Sequence, residues 1–112
     1  MKSLRFGFFF LAGVLLLSAC NPGYDVYLLI GQSNMAGRGV FAPADTLAPL
    51  EGVFLLDDRG EPVPAVEPLN RYSTIRKAMH VQGMSLAHGF AAQAHARTGR
   101  HILLVVNARG GT

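Results

Sequence analysis

Gly31-Gln32-Ser33-Asn34-Met35 places a serine directly after the apolar run Asp25–Ile30. A hydroxyl there can attack a carbonyl if a base takes its proton. In an open α/β sheet, sites form beyond the carboxyl ends of the strands, so a serine in the first turn can point into that crevice. Backbone N–H groups after it can act as oxyanion donors, and Gly31 allows a sharp exit from the strand. The pattern is not a Gly-x-Ser-x-Gly elbow, because position 35 is Met. Taken alone, a serine in such a loop is more often a turn former or a helix cap. The four histidines offer no obvious base. His88 and His95 are seven apart on a candidate helix, about 10.5 Å along its axis, too far to share a metal. His80 precedes that helix, and His101 opens a strand at the end away from the site. All four are expected to be surface or helix-flank side chains, with no metal site. Asp57-Asp58 reads as a solvated turn.

The elements that would position Ser33 follow from the pattern around it. Asp25–Ile30 is short, apolar and partly β-branched, as in a central, near-continuously buried parallel strand. Residues 31–39 hold Gly31, Gly37 and Gly39 and read as a loop; Pro43 and Pro49 make 42–50 irregular. Val53–Leu56 reads as a second strand, closed by Asp57-Asp58-Arg59-Gly60. Pro62, Pro64 and Pro68 predict an extended surface segment over 61–70. Residues 84–97 are predicted helical: Ala87, Phe90, Ala91 and Ala94 form a narrow stripe of small and apolar side chains suited to lying close on a sheet. Gly99 is its expected C-cap. His101–Val106 reads as a third, buried strand. Strand, loop, strand, loop, helix, strand is the start of an open α/β sheet. These elements cannot cover both faces of a parallel sheet, so the expectation is the N-terminal half of a larger domain.

Ahead of this lies a different kind of segment. Lys2 and Arg5 precede a nearly unbroken apolar run, Phe6 to Ala19. A spanning helix needs about 20 apolar residues, so the run suits a cleaved export signal. It ends in Leu17-Ser18-Ala19-Cys20, which resembles a bacterial lipobox; a plain secretory signal with an incidental cysteine is the alternative. The expected division is a signal peptide over 1–19, a lipidated Cys20 and tether over 20–24, and the domain over 25–112. Localisation would be the bacterial cell envelope, with the protein held to the membrane through lipid on Cys20. Cys20 is the only cysteine, so no internal disulfide can form. The net charge of +3 belongs largely to Lys2 and Arg5; without them eight basic residues face seven acidic ones. No long basic block remains, and no aromatic residues alternate with Lys or Arg, so nucleic acid is not an expected partner.

Tyr27-Leu28-Leu29-Ile30-Gly31-Gln32-Ser33-Asn34-Met35-Ala36-Gly37-Arg38-Gly39 resembles the first block of the sialate O-acetylesterase and acetylxylan esterase branch of the SGNH (GDSL-like) hydrolases. Glu67-Pro68-Leu69-Asn70-Arg71-Tyr72-Ser73 resembles a stretch before the second block, and Val105-Val106-Asn107-Ala108-Arg109-Gly110-Gly111-Thr112 resembles the Gly-Gly-Thr block. The resemblance implies a three-layer α/β/α fold built on a parallel sheet. It implies Ser33 as nucleophile, with its N–H as one oxyanion donor and Gln32 and Asn34 holding the loop. Gly83 falls where the family has its second-block glycine, another donor, although the Gly-Pro-Gly pattern of many relatives is missing; Ser85 or a nearby N–H is the alternative. Gly110, Gly111 and Thr112 match a loop lining the pocket. Arg109 has two open readings, facing the acyl or sugar group or pairing on the surface. The family's Gln-Gly-Glu-x-Asp run and late Asp-x-x-His, which supplies the base, have no counterpart here; both follow the Gly-Gly-Thr block in relatives. These residues alone are therefore expected to hydrolyse almost nothing.

The implied activity is removal of O-acetyl groups from sialic acid or other sugars, with no cofactor. A non-catalytic carbohydrate-binding lipoprotein with a degenerate esterase fold is the competing expectation, and a generic lipase or thioesterase a third. Topology adds one more. The tether enters strand one at its start and Ser33 lies past its end, about 20 Å away for six strand residues. Four residues reach at most ~14 Å. A lipidated Cys20 would therefore hold the domain close to the bilayer with its pocket facing outward.

Overall fold

The structure, a computed structural model, describes residues 23–111. The leader, Cys20 and Thr112 lie outside the described residues. Among the described residues four strands form one sheet in the order β1-β4-β2-β3. They are β1 (Tyr24–Gly31), β2 (Val53–Leu56), β3 (Pro62–Pro64) and β4 (His101–Ala108). A single helical turn, α1 (Ser33–Ala36), follows β1, and the helix α2 (Leu86–Thr98) precedes β4. Short 3-10 turns occupy Pro43–Thr46 and Met79–Val81.

β4 is the centre of the sheet. It pairs in parallel with β1 from Tyr24↔His101 to Gly31↔Ala108, and with β2 from Val53↔Ile102 to Leu55↔Leu104. Its side chains Ile102, Leu104 and Val106 pack with Val53, Leu55, Ala65, Leu69, Ala87 and Ala91 in one core. The alanines explain how α2 seats itself: Ala87 and Ala91 are buried against the sheet, where larger side chains would hold the helix away. Ser85 Oγ accepts from the Ala87 N–H at 3.2 Å and caps the start of α2. Gly99 closes it in a left-handed conformation, its N–H donating to the His95 carbonyl at 2.8 Å. Phe90 sits at the margin of the stripe, half exposed, with its ring edge-on to Tyr27 at 4.9 Å.

Two expectations are corrected here. Among the described residues β1 is an edge strand with one face covered, not a central strand buried on both sides. Among the described residues only β4 pairs with it, and its side chains alternate: Tyr27 and Leu29 pack against the core, while Val26, Leu28 and Ile30 are exposed. An apolar run does not reveal whether a second layer covers its other face. Residues 61–70 are not a surface segment either. Pro62–Pro64 pairs antiparallel with β2 as an edge strand, where a missing N–H costs least. Beyond it, Ala65, Glu67, Leu69 and Asn70 are buried. The turn between β2 and β3 is the solvated one expected of Asp57-Asp58: Asp57 Oδ1 accepts from the N–H groups of Arg59 and Glu61, both at 2.9 Å.

Candidate active site

The register of β1 and β4 builds the site. Because Gly31 is opposite Ala108, the turn carrying Ser33 and the loop carrying Gly110 leave the sheet side by side. The Arg109 N–H donates to the Gly31 carbonyl at 3.2 Å and ties the two exits together. Ser33 is the first residue of α1, with Gln32 as its N-cap. The Met35 and Ala36 N–H groups donate to the Gln32 carbonyl at 3.1 and 2.8 Å. Ser33 and Asn34 open the turn, so their own N–H groups have no partner within it. Gln32 shapes the turn through its backbone; its side chain makes no cap. Asn34 is exposed.

Gly110 is buried against this turn. A Cβ there would lie 3.4 Å from Ser33 Cα, in van der Waals contact with the turn, and against the end of the Arg38 side chain. Gly110 thus lies against the Ser33 turn, and Gly111 follows it beside Lys77. Gly83 also comes to the site, but its expected role as an oxyanion donor is corrected. Its N–H donates to the Gly37 carbonyl at 3.1 Å and is not free. The neighbouring Met84 N–H donates to the Gly39 carbonyl, and the Gly39 N–H donates back to the Met84 carbonyl, both at 2.8 Å. Gly83 and Gly37 therefore act as a backbone-to-backbone clasp that holds the end of α1 against the start of α2. Ser85, the alternative, is used in capping α2.

Beneath the site lies a buried polar layer that periodicity did not reveal. Asn70 is 1% exposed. Its Nδ2 donates to the Ala108 carbonyl at 2.9 Å, and its Oδ1 accepts from the Ala108 N–H at 3.1 Å. The side chain thus pairs with the end of β4 as another strand would, directly before Arg109 and Gly110. Nδ2 also donates to Gln82 Oε1 at 2.9 Å. Asn107 Oδ1 accepts from Ser73 Oγ at 2.8 Å and the Thr74 N–H at 2.9 Å. Glu67, also 1% exposed, accepts from the Leu69 N–H at 3.1 Å and pairs with His88 Nδ1 at 2.8 Å. The signal for this layer was present in the Glu67–Ser73 stretch, whose polar residues sit among apolar ones without a surface period.

The histidines are accounted for elsewhere. His88 is not a surface or helix-flank side chain: it reaches Glu67 from α2. His95 Nδ1 lies 2.8 Å from the Arg100 carbonyl, and His101 stacks near Phe54 at the start of β4. Among the described residues no histidine or carboxylate is hydrogen-bonded to Ser33 Oγ, and no three His, Cys, Asp or Glu side chains converge as metal ligands. Arg109 donates from Nη1 to the Ile75 carbonyl at 3.0 Å. A hollow of about 180 Å³ between β1, α1 and α2, lined by Leu29, Met35, Leu86, Ala87 and Phe90, is wholly apolar. It is smaller than the ~300–1,000 Å³ usual for a small-molecule pocket.

A parallel sheet with a serine turn at one strand end and a Gly-Gly loop at its neighbour's is the α/β architecture of the SGNH-type hydrolases. Residues 23–112 match the family described as carbohydrate esterase, sialic acid-specific acetylesterase, and the chain belongs to that family. Among solved structures it is similar to a protein from Arabidopsis thaliana determined at 1.6 Å by X-ray diffraction, with 30% identity and a TM-score of 0.64. The alignment covers 81% of this chain and 42% of that one, so the chain spans less than half of the plant protein's length. No curated protein matches.

Proposed function

We propose that the chain forms the nucleophile half of a serine carbohydrate esterase that removes O-acetyl groups from sialic acid or other sugars. The observation that carries this reading is the packing of the Ser33 turn against the Gly110–Gly111 loop at adjoining strand ends. Ser33 Oγ would attack the acetyl carbonyl, expelling the sugar hydroxyl and leaving acetyl-serine. Water would then release acetate and restore the hydroxyl. The Ser33 N–H is free of the turn's own hydrogen bonds and would donate to the oxyanion. The proton of Ser33 must pass to a base. The four histidines are committed elsewhere or lack a hydrogen bond to it, so the base would come from outside the described residues.

The test is hydrolysis of p-nitrophenyl acetate and of O-acetylated sialic acid by the full-length protein and its Ser33→Ala variant. Loss of roughly 10³-fold or more in kcat/KM is expected. Equal rates would sink the nucleophile assignment. Sugar binding without turnover in the parent protein would favour the non-catalytic carbohydrate-binding reading. We further propose lipid attachment at Cys20, which would hold the protein to the membrane of the bacterial cell envelope.

A further inference from the structure

Ester attack by Ser33 puts a negative charge on the carbonyl oxygen, and donors aimed at that charge are usually the largest catalytic contribution. The Ser33 N–H is free of the turn's own hydrogen bonds. The other backbone donors nearby are committed: the Gly83 N–H to the Gly37 carbonyl, the Met84 N–H to the Gly39 carbonyl and the Arg109 N–H to the Gly31 carbonyl. The side chain that stands next to the turn is Arg38, two residues past α1. A Cβ on Gly110 would lie 3.4 Å from Ser33 Cα and 2.9 Å from Arg38 Cζ. The guanidinium therefore packs over Gly110, next to the backbone of the nucleophile.

The arginines around the site are spent on the protein itself. Arg71 donates to the Glu67 and Pro68 carbonyls, Arg76 to the Arg71 and Lys77 carbonyls, and Arg109 to the Ile75 carbonyl. Among the described residues the Arg38 side chain has no such acceptor, and no carboxylate pairs with it. Lys77 also reaches the loop, but one residue further along: a Cβ on Gly111 would fall against its Nζ, 4.0 Å from Arg38 Nη2. A guanidinium suits a developing alkoxide, because it stays charged and holds its N–H donors in a rigid planar fork.

We propose that Arg38 is a further catalytic residue, whose guanidinium donates to the oxyanion formed at Ser33. The inference rests on the esterase reading above. Ser33 Oγ bonds to the carbonyl carbon while its proton passes to an imidazole-class base outside the described residues. The carbonyl π pair moves onto oxygen, where the Ser33 N–H and Arg38 meet it, and returns as the bond to the leaving oxygen breaks. The charge is absent from the bound substrate, so Arg38 should act on kcat and leave KM nearly unchanged. The test uses the full-length protein and p-nitrophenyl acetate, which carries no carboxylate. Arg38→Gln is expected to lower kcat at least ~10-fold, less than the ~10²–10³ of a sheltered donor because Arg38 is exposed and screened. Arg38→Lys should recover part of the loss, and Lys77→Gln should keep kcat within about twofold. Methylboronic acid, which adds to Oγ as a tetrahedral anion, should inhibit Arg38→Gln more weakly than the parent. Its inhibition of the parent should also weaken as salt rises, while KM for the neutral ester stays put. Circular dichroism checks that each variant is folded, and the salt dependence in the parent serves if Arg38→Gln is not. An unchanged kcat in folded Arg38→Gln, an equal loss in Lys77→Gln, a loss carried by KM alone, or salt-independent boronate inhibition would overturn the proposal. If Arg38→Gln keeps its rate while Ser33→Ala loses it, only the role of Arg38 falls. If Ser33→Ala keeps the parent rate, the esterase reading falls with it.

Discussion

At the scale of single residues, the site depends on positions where a side chain is forbidden or a polar group is already paired. Gly37 has φ near +102°, and a Cβ there would run into the Gly83 carbonyl. Gly37→Ala therefore meets both a conformational and a steric penalty, expected to cost about 1–3 kcal/mol and to lower esterase activity by displacing Ser33. Urea unfolding and p-nitrophenyl acetate kinetics check the two effects. Asp57 is a simpler case. The Glu61 N–H bonded to its carboxylate, with smaller help from the Arg59 N–H and charge, holds its pKa below the ordinary value. A group whose folded pKa is depressed contributes stability above its unfolded pKa and loses it as pH falls through the folded one. Asp57→Asn should thus lower the urea midpoint at neutral pH, and the difference should fade in acid below the carboxylate range.

At the scale of elements, α2 and the 67–73 segment hold the two loops in register. Asn70 carries most of the connection, because removing its amide leaves the buried Ala108 N–H without its partner and the Ala108 carbonyl with Ser73 Oγ alone, at 3.2 Å. Asn70→Ala is expected to cost about 1–3 kcal/mol for the orphaned N–H and to loosen the Gly110–Gly111 loop. Loss of stability together with a fall in kcat is the expected result; unchanged kcat in the folded variant would show that the loop is held another way. α2 also contains a position that can be improved. Gly89 lies in mid-helix, and a Cβ there would meet nothing within 4 Å. Gly89→Ala should raise stability by about 0.5–1 kcal/mol by restricting the unfolded chain, without touching the site. Thermal unfolding measures this directly.

At the scale of the whole molecule, β4 organises everything else: it pairs with β1 and β2 and carries the core beneath α2. The ion pair Arg100–Asp25, at 2.7 Å, joins the turn after α2 to the start of β1, but it is exposed and worth at most about 1 kcal/mol. Among the described residues no helix is long and apolar enough to cross a membrane. Attachment through Cys20 therefore stands as a proposal of its own. Cys20→Ser should shift the protein from the membrane fraction to the soluble one, and a variant that stays membrane-bound would remove the lipid assignment. β1 starts at Tyr24 and Ser33 lies just past its other end, so an anchored domain would present Ser33 away from the bilayer.

Local signals in the sequence were enough to find the parts. A β-branched apolar run marked each of the three parallel strands, the small-residue stripe marked the buried face of α2, and Gly99 marked its end. Ser33 was legible because a strand and a glycine precede it, and the three blocks around it pointed to the family. These features depend on a few consecutive residues and survive being read one at a time. What the tertiary structure decided depends on distant partners. The β1–β4 register places Gly31 beside Ala108, and only that pairing puts Ser33 against Gly110. Glu67, Asn70 and Ser73 look like loop residues until His88, Ala108 and Asn107 satisfy them from 21 to 38 positions away. Gly83 looked like a free donor until the Gly37 carbonyl accepted its N–H. The exposure of one face of β1 follows the same logic: hydrophobicity says that a strand can be buried, and the packing of neighbouring elements determines which of its faces is.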